Sequence, residues 1–195
     1  MNFNKHSELE GKHAFLSASK YHWLNYDESR LINVYRNNQA KIKGTLLHQF
    51  AHDAIMYGVL LDDNGGTLSS YVNDCIADGM SPEVVLYYSP NAFGTADGIK
   101  FDETQRLLKI YDLKTGVSKP SIKQLYIYAA LFCLEYNINP NDIDIELRIY
   151  WTDEVLVDSP SSEVIWDVMD RIIAFDNIIQ QIHKEDGNGL LYFSR

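Results

Sequence analysis

The residues that could do chemistry are concentrated in one segment, Gly94–Gly116, which contains Asp97, Asp112 and Lys114. The segment predicts two β-strands joined by a hairpin turn at residues 102–105, so that both carboxylates fall at the same end of the hairpin. Lys114 follows Asp112 by two residues, and side chains spaced in this way leave the same face of a strand. Carboxylate oxygens are the ligands of hard divalent cations, and a neighbouring lysine can orient water or stabilise charge on a phosphate.

Side chains on two predicted helices could complete this group. His48 lies on the helix before the hairpin, and a helix that enters against the sheet can bring one imidazole to the same cation. His52, one turn later, would suggest a zinc pair, but no cysteine or third histidine has suitable spacing. Gln124 and Tyr128 are spaced i and i+4 on the helix after the hairpin, so they share one face. Taken singly, each of these residues also fits an ordinary surface or core position.

The elements that must position these side chains follow from apolar periodicity and from turn residues. The order is helix, three meandering strands, helix, strand and helix, preceded by an apolar-aromatic segment at 15–23 with Ser17 or Ser19 as a helix N-cap. We expect one α/β domain, with a small mixed β-sheet flanked by helices, a core over about 15–152 and an extra C-terminal helix. The predicted helices are 44–60, 69–78, 121–136 and 161–184, and the predicted strands are 84–88, 93–101, 107–113 and 143–152, with a short edge at 155–157.

Composition limits the class of protein. The chain has 195 residues, of which 46% are apolar and 12% aromatic, which excludes a disordered or collagen-like chain. It contains no apolar run of the roughly 20 residues that a membrane-spanning helix needs. The first ten residues are polar and lack the apolar segment of a signal peptide. Cys75 and Cys133 are far apart, so we expect reduced core cysteines in a cytoplasmic protein.

The net charge of −10 argues against a protein that coats nucleic acid over its whole surface. The charge is unevenly distributed, however. Residues 1–48 and 98–124 carry more basic than acidic side chains, whereas 49–97 contains no Lys or Arg and 125–195 is strongly acidic. Chance alternation on a solvated surface would also give such a pattern.

Four short motifs together resemble the RecB-type branch of the PD-(D/E)xK nuclease superfamily. Their order and spacing, with the succession of predicted elements, agree with the core of that family, and the segment at 15–23 is similar to one in some phage and bacterial single-domain members. The resemblance spans about 15–150. The motifs are G-T-L-L-H at 44–48, G-T-A-D-G at 94–98, Y-D-L-K-T-G at 111–116 and Q-L-Y-I-Y at 124–128.

The resemblance implies a restriction-endonuclease-like fold and a metal-dependent deoxyribonuclease, most simply an exonuclease. Lys114 would be the catalytic lysine, Gln124 and Tyr128 would support the site or the substrate phosphate, and Glu83 stands where many relatives carry another acidic residue. Ala96 replaces the proline of the superfamily name and an aspartate replaces the commoner glutamate, and both departures occur within this branch. The metal ligands implied by motif position are His48, Asp97, Asp112 and the backbone carbonyl of Leu113.

The implied cofactor is Mg²⁺ or Mn²⁺. Two cysteines cannot hold the iron–sulfur cluster found in some members of the family, and no Walker-type glycine loop indicates ATP binding. DNA is the implied partner, and degradation of long DNA would need a partner protein or an oligomer. The lysines that flank the motifs, and that we expect to contact phosphates, are Lys41, Lys43, Lys119 and Lys123.

Two other classes of function remain open on the sequence. The acidic net charge suits a binding or regulatory protein on a nuclease scaffold, such as an acidic mimic of DNA. Against it stand the catalytic positions, which such a protein does not need. A metal-independent structural protein is the other class, and it would bind no divalent ion.

Overall fold

Helices and strands alternate along the chain much as the sequence predicts. A computed structural model describes residues 4–185. The main elements, in chain order, are α1 (Glu28–Tyr57), α2 (Thr67–Asp78), β1 (Ser81–Ser89), β2 (Ala92–Asp102), β3 (Leu107–Lys114), α3 (Lys123–Tyr136), β4 (Asp144–Trp151), β5 (Glu154–Asp158) and α4 (Ser162–Glu185). None of these helices, within the described residues, is long and apolar enough to cross a membrane.

The five strands form one mixed sheet in the order β1-β2-β3-β4-β5, which confirms the predicted mixed α/β class. Neighbouring strands are antiparallel except for β3 and β4, which run parallel and are joined through α3. A parallel pair requires such a crossover, because the chain must return to the starting edge of the sheet. The central position therefore belongs to β3, the strand of Asp112 and Lys114.

Alternation along β3 divides the core into two layers. Leu108 and Ile110 point to one face, where they pack in a cluster with α3 and α4 residues such as Leu125 and Ile165. Tyr111 and Leu113 point to the other face. There they pack with residues of α2 and of the C-terminal part of α1, namely Ala51, Ala54, Ile55, Tyr71, Val72 and Cys75. Helices thus cover both faces of the central strands.

Helix α1 begins sixteen residues before the predicted start at Gly44, and this prediction was wrong. The N-cap is Asp27, whose Oδ1 accepts a hydrogen bond of 2.7 Å from the Arg30 amide. Ser17 does not cap a helix through its side chain; it precedes 3-10 turns at Ala18–Asn25, and its hydroxyl contacts that of Ser19. The first half of α1 gives a weak signal in the sequence, because residues 28–43 are mostly polar and exposed and only Leu31, Val34 and Tyr35 have helical apolar spacing.

Two compact units divide the chain between Thr45 and Leu46. In the first, the Phe15 and Tyr35 rings pack edge to face with centroids 5.0 Å apart. The second contains the whole sheet, α2 to α4 and the C-terminal part of α1. Cys75 and Cys133 are buried there and form no disulfide, as predicted.

A buried carboxylate on α4 anchors the turn between β1 and β2. Asp176 is only 4% exposed. Its Oδ1 accepts hydrogen bonds from Ser89 Oγ at 2.6 Å and Asn91 Nδ2 at 2.9 Å, and its Oδ2 accepts one from Gln180 Nε2 at 2.6 Å. The bond from Ser89 is the main cause that lowers the pKa of Asp176. The ionised carboxylate therefore stabilises the fold.

We expect Asp176→Ala to lower the free energy of unfolding at pH 7 by roughly 1–3 kcal/mol, because three donors lose their acceptor. Asp170→Ala, an exposed position on the same helix, is the matched control and should change stability little. Because folding lowers the pKa of Asp176, its contribution is present above the ordinary value of about 3.9 and is lost as the pH falls through the folded-state pKa. Urea denaturation from pH 7 downward should therefore show the difference shrinking on acidification. An equal loss of unfolding free energy in Asp176→Ala and Asp170→Ala would contradict the stabilising role of Asp176.

Candidate active site

The candidate site lies where β2 and β3 separate. Their pairing runs from Asp102↔Leu107 to Gly98↔Tyr111 and ends there, one position before Asp97 and Asp112. Beyond that point the Leu113 amide donates a hydrogen bond of 3.0 Å to Asp97 Oδ2 in place of a backbone carbonyl. A side-chain carboxylate thus replaces one step of the ladder, and the separation of the two strands leaves room for both aspartates.

His48 of α1 approaches this point. Its Nδ1 lies 3.5 Å from Asp97 Oδ2, the same oxygen that accepts from Leu113. The contact with Asp97 is the main cause that raises the pKa of His48, against an opposing effect of burial. His52, one turn later, does not join the group: its Nδ1 contacts Asp53 Oδ1 at 3.0 Å. The two-histidine zinc pair is not formed.

Asp112 is a buried carboxylate at the end of the central strand, with 1% of its side chain exposed. Burial is the main cause that raises its pKa, the nearby Asp97 adds to the rise, and Lys114 opposes it. Lys114 Nζ lies 3.0 Å from Oδ1 and 2.9 Å from Oδ2, but only the contact with Oδ1 has hydrogen-bond geometry. Oδ2 is therefore a buried oxygen without a hydrogen-bond donor among the described residues.

Helix α3 holds Lys114 from the other side. The ammonium donates a hydrogen bond of 2.8 Å to Gln124 Oε1, and Gln124 Nε2 donates one of 3.1 Å to the Tyr128 hydroxyl. The i, i+4 spacing, which predicts that the two side chains share a helix face, makes the second bond possible. Asp112 and Gln124 together use two of the three protons of the ammonium group. The Lys114 amine is thus fixed between the central strand and α3.

The donor atoms at this point suit a hard divalent cation in chemistry. Two carboxylates and one imidazole are present, and Asp112 Oδ2 is a buried oxygen without a hydrogen bond from the described residues, which a cation could contact. Across residues 4–185, however, no three His, Cys, Asp or Glu side chains stand close enough together to form a ready metal centre. In this structure Lys114 supplies the counter-charge to Asp112 instead.

The other candidate residues lie outside this group. Glu83 is exposed, at the β1 position opposite Asp97, where its φ is 49°. Lys119 is exposed in the loop after β3, and Lys123 is exposed at the first residue of α3. The remaining two lysines, Lys41 and Lys43, are exposed on α1 in the first compact unit.

Two features of the site were missed by sequence reasoning. One is the bond from the Leu113 amide to Asp97, which depends on the end of strand pairing and leaves no signal in the sequence. The other is the position of Gly94, where an added Cβ would stand only 2.9 Å from Tyr128 Cε1. The glycine of the G-T-A-D-G motif could have indicated such a close approach.

Asp112→Asn should raise the free energy of unfolding of the metal-free protein at pH 7, by roughly 1 kcal/mol, the scale of single substitutions. Folding raises the pKa of Asp112. The protonated side chain therefore contributes its full stabilisation to the wild-type protein below about pH 3.9, and this contribution is lost as the pH rises through the folded-state pKa. The difference in unfolding free energy between Asp112→Asn and the wild type should therefore vanish at acidic pH. Urea denaturation in EDTA measures it, with the exposed Asp144→Asn as control. A loss of stability at neutral pH would show that the ion pair with Lys114 outweighs burial.

Comparisons of the chain with protein-family models, with curated proteins and with solved structures found no match. The arrangement of side chains around Asp97, Asp112 and Lys114 is therefore the basis for a functional proposal.

Proposed function

We propose that this chain is a divalent-metal-dependent deoxyribonuclease that hydrolyses phosphodiester bonds, as its resemblance to the RecB-type PD-(D/E)xK nucleases implies. The observation that carries the proposal is the Lys114 ammonium, held between the buried Asp112 and Gln124 next to Asp97 and His48. The order of helix, three strands, helix and strand supports the restriction-endonuclease-like core that the resemblance implies.

The proposed ligands of Mg²⁺ or Mn²⁺ are Asp97, Asp112 and His48, with the backbone carbonyl of Leu113. When bound, the cation would neutralise charge on the phosphate and lower the pKa of a water molecule. The feature of the chain that best supports this assignment is Asp112 Oδ2, a buried oxygen that contacts the Lys114 ammonium but accepts no hydrogen bond from the described residues. The bond from Leu113 N–H holds the Asp97 carboxylate against β3, and His48 contacts the same oxygen.

Lys114 is the proposed catalytic lysine. Its ammonium group would donate a hydrogen bond to the phosphate or to the attacking water, and its positive charge would stabilise the charge that develops in the transition state. Gln124 accepts one of its protons and so limits where the amine can lie. Tyr128 orients that amide in turn. We assign Glu83 only an accessory role, since its side chain is exposed.

DNA is the proposed substrate, and exonucleolytic attack is the mode that the resemblance favours. The cytoplasm is the proposed location, supported by Cys75 and Cys133, which are buried thiols without a disulfide. The rival with an observation in its favour is an acidic regulatory protein or DNA mimic, supported by the net charge of −10. Such a protein would not need a buried carboxylate paired with a lysine.

Wild-type protein should degrade linear duplex DNA with Mg²⁺ or Mn²⁺ and not with EDTA. Lys114→Ala should reduce the rate by at least about 100-fold while binding of Mn²⁺, measured by calorimetry, is largely kept. End-labelled and circular DNA in the same assay distinguish exonuclease from endonuclease.

Lys109→Ala is the matched control. Lys109 lies on the same strand and also pairs with an aspartate, Asp78, at 2.8 Å. It points to the other face of the sheet, so its loss should leave cleavage within a few-fold of wild type. Full activity in Lys114→Ala would contradict the assignment of the site, and an inactive wild type that blocks a nuclease in trans would favour the acidic mimic.

DNA binding by the inactive Asp112→Asn variant should weaken as salt rises. Each phosphate contact contributes about 0.9 to the log–log slope for duplex DNA, so replacing Lys119 and Lys123 by Ala should make the slope shallower by up to about two. The matched control removes two basic side chains from α4, Arg171 and Lys184, and should leave the slope unchanged because that region is strongly acidic. Fluorescence anisotropy of labelled duplex measures both. If the α4 substitutions change the slope and the lysine substitutions do not, the assignment of Lys119 and Lys123 to DNA binding is contradicted and the acidic mimic is supported.

A further inference from the structure

Gly94 of β2 lies directly beneath the ring of Tyr128. A Cβ at this position would stand 2.9 Å from Tyr128 Cε1, 3.7 Å from Cδ1 and 3.9 Å from Cζ. Real Cβ atoms almost never come within 3.0 Å of a neighbour, because the repulsion rises steeply at that distance. Gly94 is in an ordinary strand position, paired with Leu86, so its backbone does not require glycine. The close approach of the ring does.

An added methyl group at position 94 could displace either the Tyr128 ring or the whole of helix α3, and the packing of α3 opposes the second. On α3, Leu125 and Ala129 flank it and are completely buried against the sheet. A methyl group at position 94 would therefore act on the ring and not on the helix. The ring would tilt away from β2, and the hydroxyl at its far end would move with it.

That hydroxyl is the first member of a chain of hydrogen bonds. It accepts from Gln124 Nε2 at 3.1 Å, Gln124 Oε1 accepts from Lys114 Nζ at 2.8 Å, and the ammonium also contacts Asp112. Loss of the first bond frees the Gln124 amide to rotate, and the amide then no longer fixes Lys114.

We propose that Gly94 is a positioning residue of the candidate site: its missing side chain lets Tyr128 orient Gln124, which in turn orients Lys114. Misplacement of a catalytic group by about 1 Å can cost about 100-fold in rate. The expected loss of rate rests on the proposed nuclease function, whereas the effect of Gly94 on Tyr128 and Gln124 does not depend on it.

The test is a cycle of Gly94→Ala and Tyr128→Ala. In the wild-type background Gly94→Ala should lower kcat by about 10-fold or more with KM for DNA little changed. In the Tyr128→Ala background the same substitution should change kcat less than 2-fold, because there is no ring to displace. Gly116→Ala is the matched control, since an added Cβ there meets nothing within 4 Å. Equal losses in both backgrounds would overturn the proposal, since they would mean that Gly94 acts through something other than Tyr128.

A second measurement does not depend on activity. The side-chain amide signals of Gln124 in a ¹⁵N spectrum of the metal-free protein should shift in Gly94→Ala and in Tyr128→Ala, and not in Gly116→Ala. Unchanged Gln124 signals in Gly94→Ala would overturn the proposal. If wild-type protein cleaves no DNA, the nuclease function fails, while these signals still decide whether Gly94 positions Gln124.

Discussion

The buried carboxylate of Asp112 is the constraint on which the rest of this site depends. A central strand of a sheet that is covered on both faces offers no water to an ionised group, and burial raises the pKa of Asp112 accordingly. The chain compensates with one ammonium group, from Lys114, and leaves one carboxylate oxygen without a hydrogen-bond donor among the described residues. An apolar residue at this position would pack without such a cost. The proposed metal site would give this carboxylate a chemical role that an apolar residue could not fill.

The candidate site as a whole, though not Lys114 alone, draws side chains from both faces of the sheet. The α3 side supplies Gln124 and Tyr128, whereas His48 comes from the helix that packs with the α2 layer. The separation of β2 and β3 makes this possible, because a continuous ladder would keep the two layers apart. A second polar group, on the α2 side, shows the contrast. There the Tyr111 hydroxyl lies 2.6 Å from Asp78 and 2.9 Å from Glu146, and a lysine and an arginine neutralise the carboxylates. That group ties β3 and β4 to α2.

Much of this arrangement can be predicted from the sequence, for identifiable reasons. The turn between Asp102 and Leu107 fixes the register of the hairpin, and the register makes Asp97 and Asp112 neighbours. Helical spacing likewise predicts that Gln124 and Tyr128 share a helix face, where the structure has a hydrogen bond between them. The first half of helix α1 was missed, because its apolar stripe is limited to Leu31, Val34 and Tyr35 and the other residues are mostly polar and exposed. Contacts between distant segments, which no local pattern encodes, determine three further features. These are the strand order, the end of pairing at Gly98 and the position of the Tyr128 ring over Gly94.

The separation of β2 from β3 also has to be maintained, and hydrogen bonds hold strand β2 near both of its ends. At one end Asp176 of α4 fixes the β1–β2 turn through Ser89 and Asn91. At the other end Lys100 donates to the Asp78 carbonyl, where α2 ends. Asp97 lies between these anchors, opposite Glu83, whose φ of 49° is strained for a residue with a side chain. Strain of this kind persists only where the surrounding structure fixes the chain on either side. The anchors therefore belong to the site as much as its carboxylates do, because without them β2 could relax toward regular pairing and close the space between Asp97 and Asp112.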